Sequence, residues 1–323
     1  MFDAPSQPVS EVPVPPTIAP VARIAELLAE GRTFSFEFFP PRNDLEQQTL
    51  VHTLRELEPL GPSFVSVTYR GGRSSRRRTH DLVAAMLKTT SLRPMAHLIC
   101  TGHSRLELAE ILVDFRKSGI ENLMALGGDP PADPDEKEGE LRYAIELVEL
   151  ARAIGGFSIG VAAHPDGHPR SPDLASDRRY LAAKLALADF GVTQFFFEAA
   201  SYSSLVQDME RLGITKPILP GIMPVTSLNS IPRMQAMGAQ VPDWMHQRLV
   251  SGGDSPEAVR RAGIDIATEL CEQVLAAGAP GLHFYTLNRS TATREIHHRL
   301  AADGLVPGFP LQGAPEPQPY LGQ

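Results

Sequence analysis

The 323-residue sequence predicts an α/β fold, a (β/α)8 TIM barrel built as a single domain. Eight short β-branched or aromatic runs recur along the chain, and helical stretches lie between them. Eight strands that alternate with helices close into a barrel more naturally than into an open sheet. The alternative is a doubly wound sheet, but no G-x-G-x-x-G motif follows the first strand.

Every gap between predicted strands except the last has the length of one strand plus one helix. The predicted strands occupy residues 34–39, 64–68, 95–99, 122–126, 158–163, 193–197, 217–222 and 281–285. The clearest helical stretches are residues 45–57, 80–87, 104–117, 140–153 and 176–190, several of them opened by a Ser, Thr or Asp that can cap a helix. The long seventh gap leaves room for extra helices, including one within 255–277.

Composition sets the limits of the domain and its partners. Residues 1–20 and 308–323 are rich in proline and predicted to be a disordered arm and tail, which leaves 21–307 for the barrel. The net charge of −8 argues against a nucleic-acid partner. No apolar stretch is long enough for a membrane helix, and the N-terminus lacks the pattern of a signal peptide. Two distant cysteines, Cys100 and Cys271, are typical of reduced thiols in a cytoplasmic protein.

Glu37 is the sharpest candidate for chemistry. It lies in FSFEFFPP, between phenylalanines on a strand that should be covered on both faces. A carboxylate there is costly unless it is paired or used, so Glu37 is either a general acid or the partner of a barrel Lys or Arg.

Other polar residues follow the predicted strands, where a barrel of this kind has its active site. Asp129 comes after Gly127 and Gly128, which would let a planar ligand approach the backbone, although an ordinary turn is an equal alternative. His164 and His168 stand among prolines without an evident third ligand, so hydrogen bonding to a ligand is favoured and no metal is expected.

Two further features have open interpretations. The segment RGGRSSRRRTH, from Arg70 to His80, is either a solvated basic loop or a contact for a pyrophosphate or polyglutamate. The amide of Gln194 suits the edge of a heterocycle such as a pterin, but it could also bridge two strands.

Taken together, these segments resemble methylenetetrahydrofolate reductases, in the bacterial single-domain form. The segments that carry the resemblance, in order, are FSFEFFPPR, FVSVTY, AHLIC, GGDPP, VAAHPDGHP, TQFFFE, LPGIMPVTS and LHFYTLNRS. They extend from about residue 34 to residue 300. The resemblance implies a flavoprotein that takes hydride from NADH or NADPH through FAD and reduces 5,10-methylenetetrahydrofolate to 5-methyltetrahydrofolate. By analogy with the family, a homo-oligomer is expected.

The resemblance also implies roles for individual residues. Glu37 matches the general acid that protonates folate N10, and Asp129 matches the carboxylate beside the flavin. Gln194, Tyr285 and Arg289 match folate-binding positions. The positions that match flavin contacts are Thr68, Tyr69, Gly71, His97, Gly127, Gly128, Tyr143, Ala144, His164, His168, Asp177 and Lys184.

Several departures from the family pattern lie on the flavin and nicotinamide side. Gly127 stands where an arginine is usual, Tyr69 is followed by Arg70 and Gly71 instead of Gly-Ala, His164 replaces a common aromatic, and Leu228 stands where some members have Phe. One hypothesis is that Arg70 replaces the missing charge, and the other is that flavin binding is weak or lost. The alternative functions are therefore direct hydride transfer from the nicotinamide, or folate binding without catalysis.

Overall fold

The computed structural model describes residues 22–69, 73–129, 139–253 and 255–306, without the side chains of 73–76. Its strands are β1 (Thr33–Phe38), β2 (Phe64–Val67), β3 (Pro94–Ile99), β4 (Asn122–Leu126), β5 (Ser158–Ala163), β6 (Phe190–Phe195), β7 (Ile218–Ile222) and β8 (Gly281–Tyr285). Its α-helices are α1 (Ile24–Glu30), α2 (Asp44–Leu57), α3 (Arg73–Thr89), α4 (Arg105–Lys117), α5 (Ala144–Ile154), α6 (Leu174–Leu187), α7 (Ala199–Arg211), α8 (Ile231–Ala236), α9 (Asp243–Val250), α10 (Pro256–Ala276) and α11 (Thr291–Ala302). The predicted arm 1–20 and tail 308–323 lie outside the described residues.

The eight strands are parallel and close into a barrel in the order β1 to β8, which confirms the predicted fold. Closure pairs β1 with β8, and the register sets Glu37 beside Tyr285 and beside Ser66 of β2. Successive side chains alternate in direction along the strand. Ser35 and Glu37 therefore face the barrel interior, and the alternating residues Phe34, Phe36 and Phe38 pack outward. The register therefore gathers polar side chains from three strands at one level of the barrel.

The amino ends of the strands are closed by α1, which the sequence analysis did not predict. The backbone N–H of Ile24 donates to Asn122 Oδ1 at 2.9 Å, and that of Ala25 donates to Ser158 Oγ at 3.0 Å. Ile24 packs on interior residues that include Phe64 and Phe190. This apolar floor leaves the carboxyl ends of the strands as the open mouth.

Helix α10 and the shorter helices α8 and α9 occupy the long gap between β7 and β8, as predicted. Their apolar residues pack on the end of β6 and the loop after β7 in a cluster separate from the main core. The cluster contains Phe195, Phe197, Met223, Val225, Ile231, Met234, Ala239, Met245, Leu249, Val259 and Ile266. It forms a wall on one side of the barrel mouth.

Several predicted boundaries were wrong. The helix predicted at 140–153 begins at Ala144, and the helix predicted at 176–190 ends at Leu187. Strand β6 begins at Phe190, not 193, because Gly191 continues the ladder through its N–H to Pro217 O at 2.8 Å. The arginine-rich segment was predicted as a loop, but from Arg73 onward it belongs to α3. Arg70 and Gly71 lie outside the described residues.

In the described part of the chain, every helix is too short or too polar to cross a membrane.

Candidate active site

The carboxyl group of Glu37 lies inside the barrel mouth between two imidazoles. Its Oε2 atom is 3.6 Å from Nε2 of His97 and 3.9 Å from Nε2 of His283, and the residue is 8% exposed. Ser66 Oγ lies 3.5 Å from the same oxygen. Among the described residues, no Lys or Arg pairs with Glu37. The alternative in which Glu37 is the partner of a barrel Lys or Arg is therefore not supported.

Burial keeps His97 neutral. Its pKa is lowered to about 4 by desolvation, against the opposing charge of Glu37. Nε2 of His97 makes no hydrogen bond within the described residues. Glu37 therefore faces a neutral ring on this side.

Both ring nitrogens of His283 have hydroxyl partners. Ser35 Oγ lies 2.8 Å from His283 Nδ1 and 3.2 Å from the carbonyl oxygen of Leu282. Nε2 of the same ring lies 3.3 Å from Ser66 Oγ and faces Glu37. The two serines therefore fix the orientation of the imidazole beside the carboxyl group.

Tyr285 is held beside this group by its hydroxyl, which donates to the carbonyl oxygen of Thr193 at 2.6 Å. Burial, and after it the charge of Glu37, raises the pKa of Tyr285, which keeps the phenol protonated. Gly221 makes room for the ring, since a Cβ there would lie 2.5 Å from Tyr285 Cε2.

The loop after β8 is fastened to β1. Asn288 accepts from Phe39 N at 2.8 Å and donates to Phe39 O at 2.9 Å, and Thr286 Oγ1 donates to Glu37 O at 2.6 Å. Leu287 and Asn288 have φ of 52° and 56°, a strained conformation that these bonds sustain. The side chain of Arg289, in the same loop, is exposed.

Gln194 lies on β6 and is half-buried. Its Nε2 atom is 3.4 Å from the carbonyl oxygen of Met237, at the end of α8. The wall of short helices therefore contacts the amide through a backbone carbonyl.

Gly127, Gly128 and Asp129 follow β4 on the same face of the barrel. The φ of Gly128 is 88°, and a Cβ there would lie 3.0 Å from Thr101 Oγ1 and 3.2 Å from Ile99 Cβ, so this position requires glycine. Gly127 is not so restricted, because a Cβ there would meet backbone atoms at 3.6 and 3.7 Å only. Asp129 is exposed.

A buried polar group lies at the ends of β5 and α6. The rings of His164 and His168 meet edge to face at 4.5 Å, Lys184 Nζ donates to Ala162 O at 2.8 Å, and Asp177 accepts from Ser171 Oγ at 2.9 Å. Burial lowers the pKa of His164 to about 4 and that of Lys184 to about 8. Four of the predicted flavin positions are thus brought together.

The other predicted flavin positions surround the mouth. Thr68 Oγ1 is buried without a hydrogen-bond partner in the described part of the chain. The hydroxyl of Tyr69 lies 2.9 Å from His103 Nε2. Tyr143 is 70% exposed and precedes Ala144, the first residue of α5. Gly71 lies outside the described residues.

These residues fit a flavin dinucleotide. Thr68 Oγ1 and His97 Nε2 are buried polar atoms without a hydrogen-bond partner among the described residues, the glycine pair presents bare backbone, and Lys184 supplies positive charge. A planar heterocycle joined to an anionic group needs this combination of donors.

Sequence reasoning missed Ser35, Ser66 and His283. A signal for them was present, because Ser35 is two residues before Glu37 and His283 is two before Tyr285, so each shares a strand face with a predicted site residue.

Comparison with known proteins supports the family that the sequence motifs resemble. A model of the methylenetetrahydrofolate reductase family matches residues 22–301. The 5,10-methylenetetrahydrofolate reductase of Pectobacterium carotovorum subsp. carotovorum is 36% identical over 280 residues, which are 86% of this chain and 92% of that protein. That of Escherichia coli (strain K12) is 36% identical over 277 residues, with 85% and 92% covered. Methylenetetrahydrofolate reductase (NADH) 1 of Zea mays is 35% identical over 285 residues, 83% of this chain but 48% of that protein.

Among solved structures, an uncharacterized protein from Clostridium thermocellum that binds two copies of 5-methyl-5,6,7,8-tetrahydrofolic acid is similar at a TM-score of 0.58. Its sequence identity is 14%, with 87% of this chain and 98% of that chain covered, so the likeness concerns the fold. The family match and the curated relatives decide the assignment: this chain belongs to the methylenetetrahydrofolate reductase family.

Proposed function

We propose that this protein reduces 5,10-methylenetetrahydrofolate to 5-methyltetrahydrofolate, with NADH or NADPH as the hydride donor and FAD as the bound carrier. Membership of the family supports the reaction. The assignment of a catalytic residue depends on one observation. The carboxyl group of Glu37 is buried at the barrel mouth between two imidazoles, without a cationic partner among the described residues.

In this proposal Glu37 donates a proton to N10 of the folate. Protonation weakens the bond between N10 and the bridging carbon, so the five-membered ring opens to an iminium ion at N5 that accepts hydride. The imidazole of His283 and the hydroxyl of Ser66 orient the carboxyl group for this transfer.

The remaining site residues bind and orient. Gln194, Tyr285 and Arg289 hold the folate, with Gln194 set by Met237 and Tyr285 set by Thr193. A bound flavin supplies the chemistry of taking a hydride from reduced nicotinamide and passing it to the iminium carbon.

The flavin would be held by Thr68, His97, the Gly127–Gly128 turn and the group around Lys184. The proposed flavin-binding residues also include Gly71, Tyr69, Tyr143, Ala144, His164, His168 and Asp177. Asp129 stabilises positive charge that develops on the ring system. A cytoplasmic homo-oligomer is part of the same proposal.

The test is turnover together with an absorbance spectrum. Purified protein is mixed with FAD, desalted and scanned, and then assayed under anaerobic conditions with methylenetetrahydrofolate and either NADH or NADPH. Formation of 5-methyltetrahydrofolate by protein that retains flavin bands supports the full proposal. Product from colourless protein would replace it with direct hydride transfer, and folate binding without product would replace it with a carrier.

A further inference from the structure

Arg170 reaches across from the loop between β5 and α6 to the glycine turn after β4. Its Nη2 atom donates to the carbonyl oxygen of Gly128 at 3.0 Å, and its backbone N–H donates to His168 Nδ1 at 3.0 Å. Two loops that belong to neighbouring strands are thereby joined by one guanidinium group. None of the roles assigned above includes this residue.

The guanidinium group has donors to spare. It offers five N–H donors, of which the bond to Gly128 uses one. Its side chain is exposed, and no carboxylate of the described residues forms an ion pair with it. Positions 127 and 128 of that turn are glycines and place no side chain beside it.

Charges of both signs surround the neighbouring rings. Burial lowers the pKa of His164 and of His168, and Arg170 and Lys184 lower both further. Asp177 opposes them at both rings and Asp129 opposes them at His168, but Asp177 is buried and engaged with Ser171. The exposed Arg170 guanidinium beside bare backbone is suited to an anionic group of a ligand that lies along the turn.

We propose that Arg170 binds the diphosphate of a dinucleotide at this turn. The inference rests on the proposed function, which requires two dinucleotides, FAD and NAD(P)H, and it names the residue that recognises their shared chemistry. Arginine is suited to the task because its planar fork can bind phosphate oxygens with two hydrogen bonds while a third holds Gly128. The position of Gly127, where the family usually has an arginine, is one residue from the carbonyl that Arg170 contacts.

The experiment measures equilibrium binding of FAD, NADH, NADPH and riboflavin to full-length protein freed of ligand, by titration calorimetry. We expect Arg170→Ala to weaken binding of FAD, of the nicotinamide dinucleotides or of both by about 10- to 100-fold, the effect of losing a charge-assisted hydrogen bond. Riboflavin, which lacks phosphate, should keep its affinity within about twofold. If only FAD binding weakens, Arg170 binds the diphosphate of FAD. If only NADH and NADPH binding weakens, Arg170 binds the diphosphate of the nicotinamide dinucleotide.

Three variants sharpen the result. Arg116→Ala is the matched control, because Arg116 also donates to a glycine carbonyl, Gly155 O at 3.0 Å, but at the opposite end of the barrel. Arg170→Lys should restore part of the affinity. Gly127→Arg combined with Arg170→Ala should restore most of it, since a Cβ at 127 meets no atom closer than 3.6 Å.

The proposal is overturned if Arg170→Ala binds all three dinucleotides as the wild type does, or if riboflavin loses affinity to the same extent. It is also overturned if the wild type binds none of the three dinucleotides. Failure of the proposed function has a different signature, because a protein without folate turnover would still show the loss of dinucleotide affinity. Binding by the wild type should also weaken with added salt, and this dependence should diminish in Arg170→Ala.

Discussion

The ring of His283 links Ser35 to Glu37. Its Nδ1 atom lies 2.8 Å from the Ser35 hydroxyl, and its Nε2 atom lies 3.9 Å from Oε2 of Glu37. Ser66 Oγ lies 3.3 Å from the same Nε2 atom, so hydroxyl groups of two strands hold the ring in place. The imidazole thereby fixes the surroundings of the carboxyl group that is proposed as the general acid.

Glu37→Gln tests the assigned acid. The amide has the same shape but cannot donate a proton to N10, so we expect folate reduction to fall by about 10²- to 10⁴-fold. Folate affinity should stay within about tenfold, and oxidation of the nicotinamide by an artificial acceptor should be spared. Equal losses in both half-reactions would contradict the role, which stopped-flow measurement of each half-reaction can establish.

Ser35→Ala tests whether the position of His283 is important. Without the serine hydroxyl, Nδ1 of His283 loses its partner at 2.8 Å, so the ring beside Glu37 is held less firmly. Folate reduction should then fall by about tenfold, while oxidation of the nicotinamide by an artificial acceptor is spared.

Ser158→Ala is the control for Ser35→Ala. Ser158 is also buried and hydrogen-bonded, to the backbone N–H of Ala25 at 3.0 Å, but it lies at the closed end of the barrel. Its loss should lower Tm without changing the ratio of the two half-reaction rates. If both variants leave that ratio unchanged, Ser35 is only structural.

The two glycines after β4 should respond differently to alanine. Gly128→Ala forces a side chain into a positive φ and against Thr101 and Ile99, at a cost of about 1–3 kcal/mol that should appear as a lower Tm and weaker flavin retention. Gly127→Ala meets ordinary contact distances and should change the unfolding free energy by less than about 0.5 kcal/mol. Comparable losses in both variants would show that the turn is not as described.

Acid should destabilise the fold through its buried histidines. Burial lowers the pKa of His97, His164 and His297 to about 4, whereas the unfolded chain titrates near 6.5. Between these values the unfolded chain binds more protons, so the stability that is complete above pH 6.5 declines as the pH falls toward 4. Urea unfolding at several pH values measures this decline.

His297→Gln isolates one of these contributions, since His297 is buried on α11 and lies outside the proposed site. Between pH 7.5 and 5 the variant should lose about 1–2 kcal/mol less stability than the wild type. His246→Gln, at an exposed position on α9, should retain the dependence of the wild type. An unchanged dependence in His297→Gln would mean that this ring does not remain neutral.

The local pattern of residues along the sequence was sufficient to predict most of the fold. Aromatic and β-branched runs have the composition of buried parallel strands, and the seven strands other than β6 begin within one residue of the prediction. The start of β6 was placed too late, because Gly191 interrupts the pattern that marks a strand while its backbone still pairs. Helix α1 was missed because its role, closing the barrel floor, depends on Asn122 and Ser158, which are distant in sequence.

The sequence by itself determined the barrel, the family and the position of Glu37 on the first strand. Each of these follows from the pattern of strands or from the order of the motifs. Only the tertiary structure decided what surrounds that carboxyl group. Ring closure brings His283 to Ser35 and Glu37 across nearly the whole chain, and the meeting of two loops brings Arg170 to Gly128. Hydrogen bonds of this kind depend on angstrom-scale positions that barrel closure sets, and no local pattern in the sequence contains them.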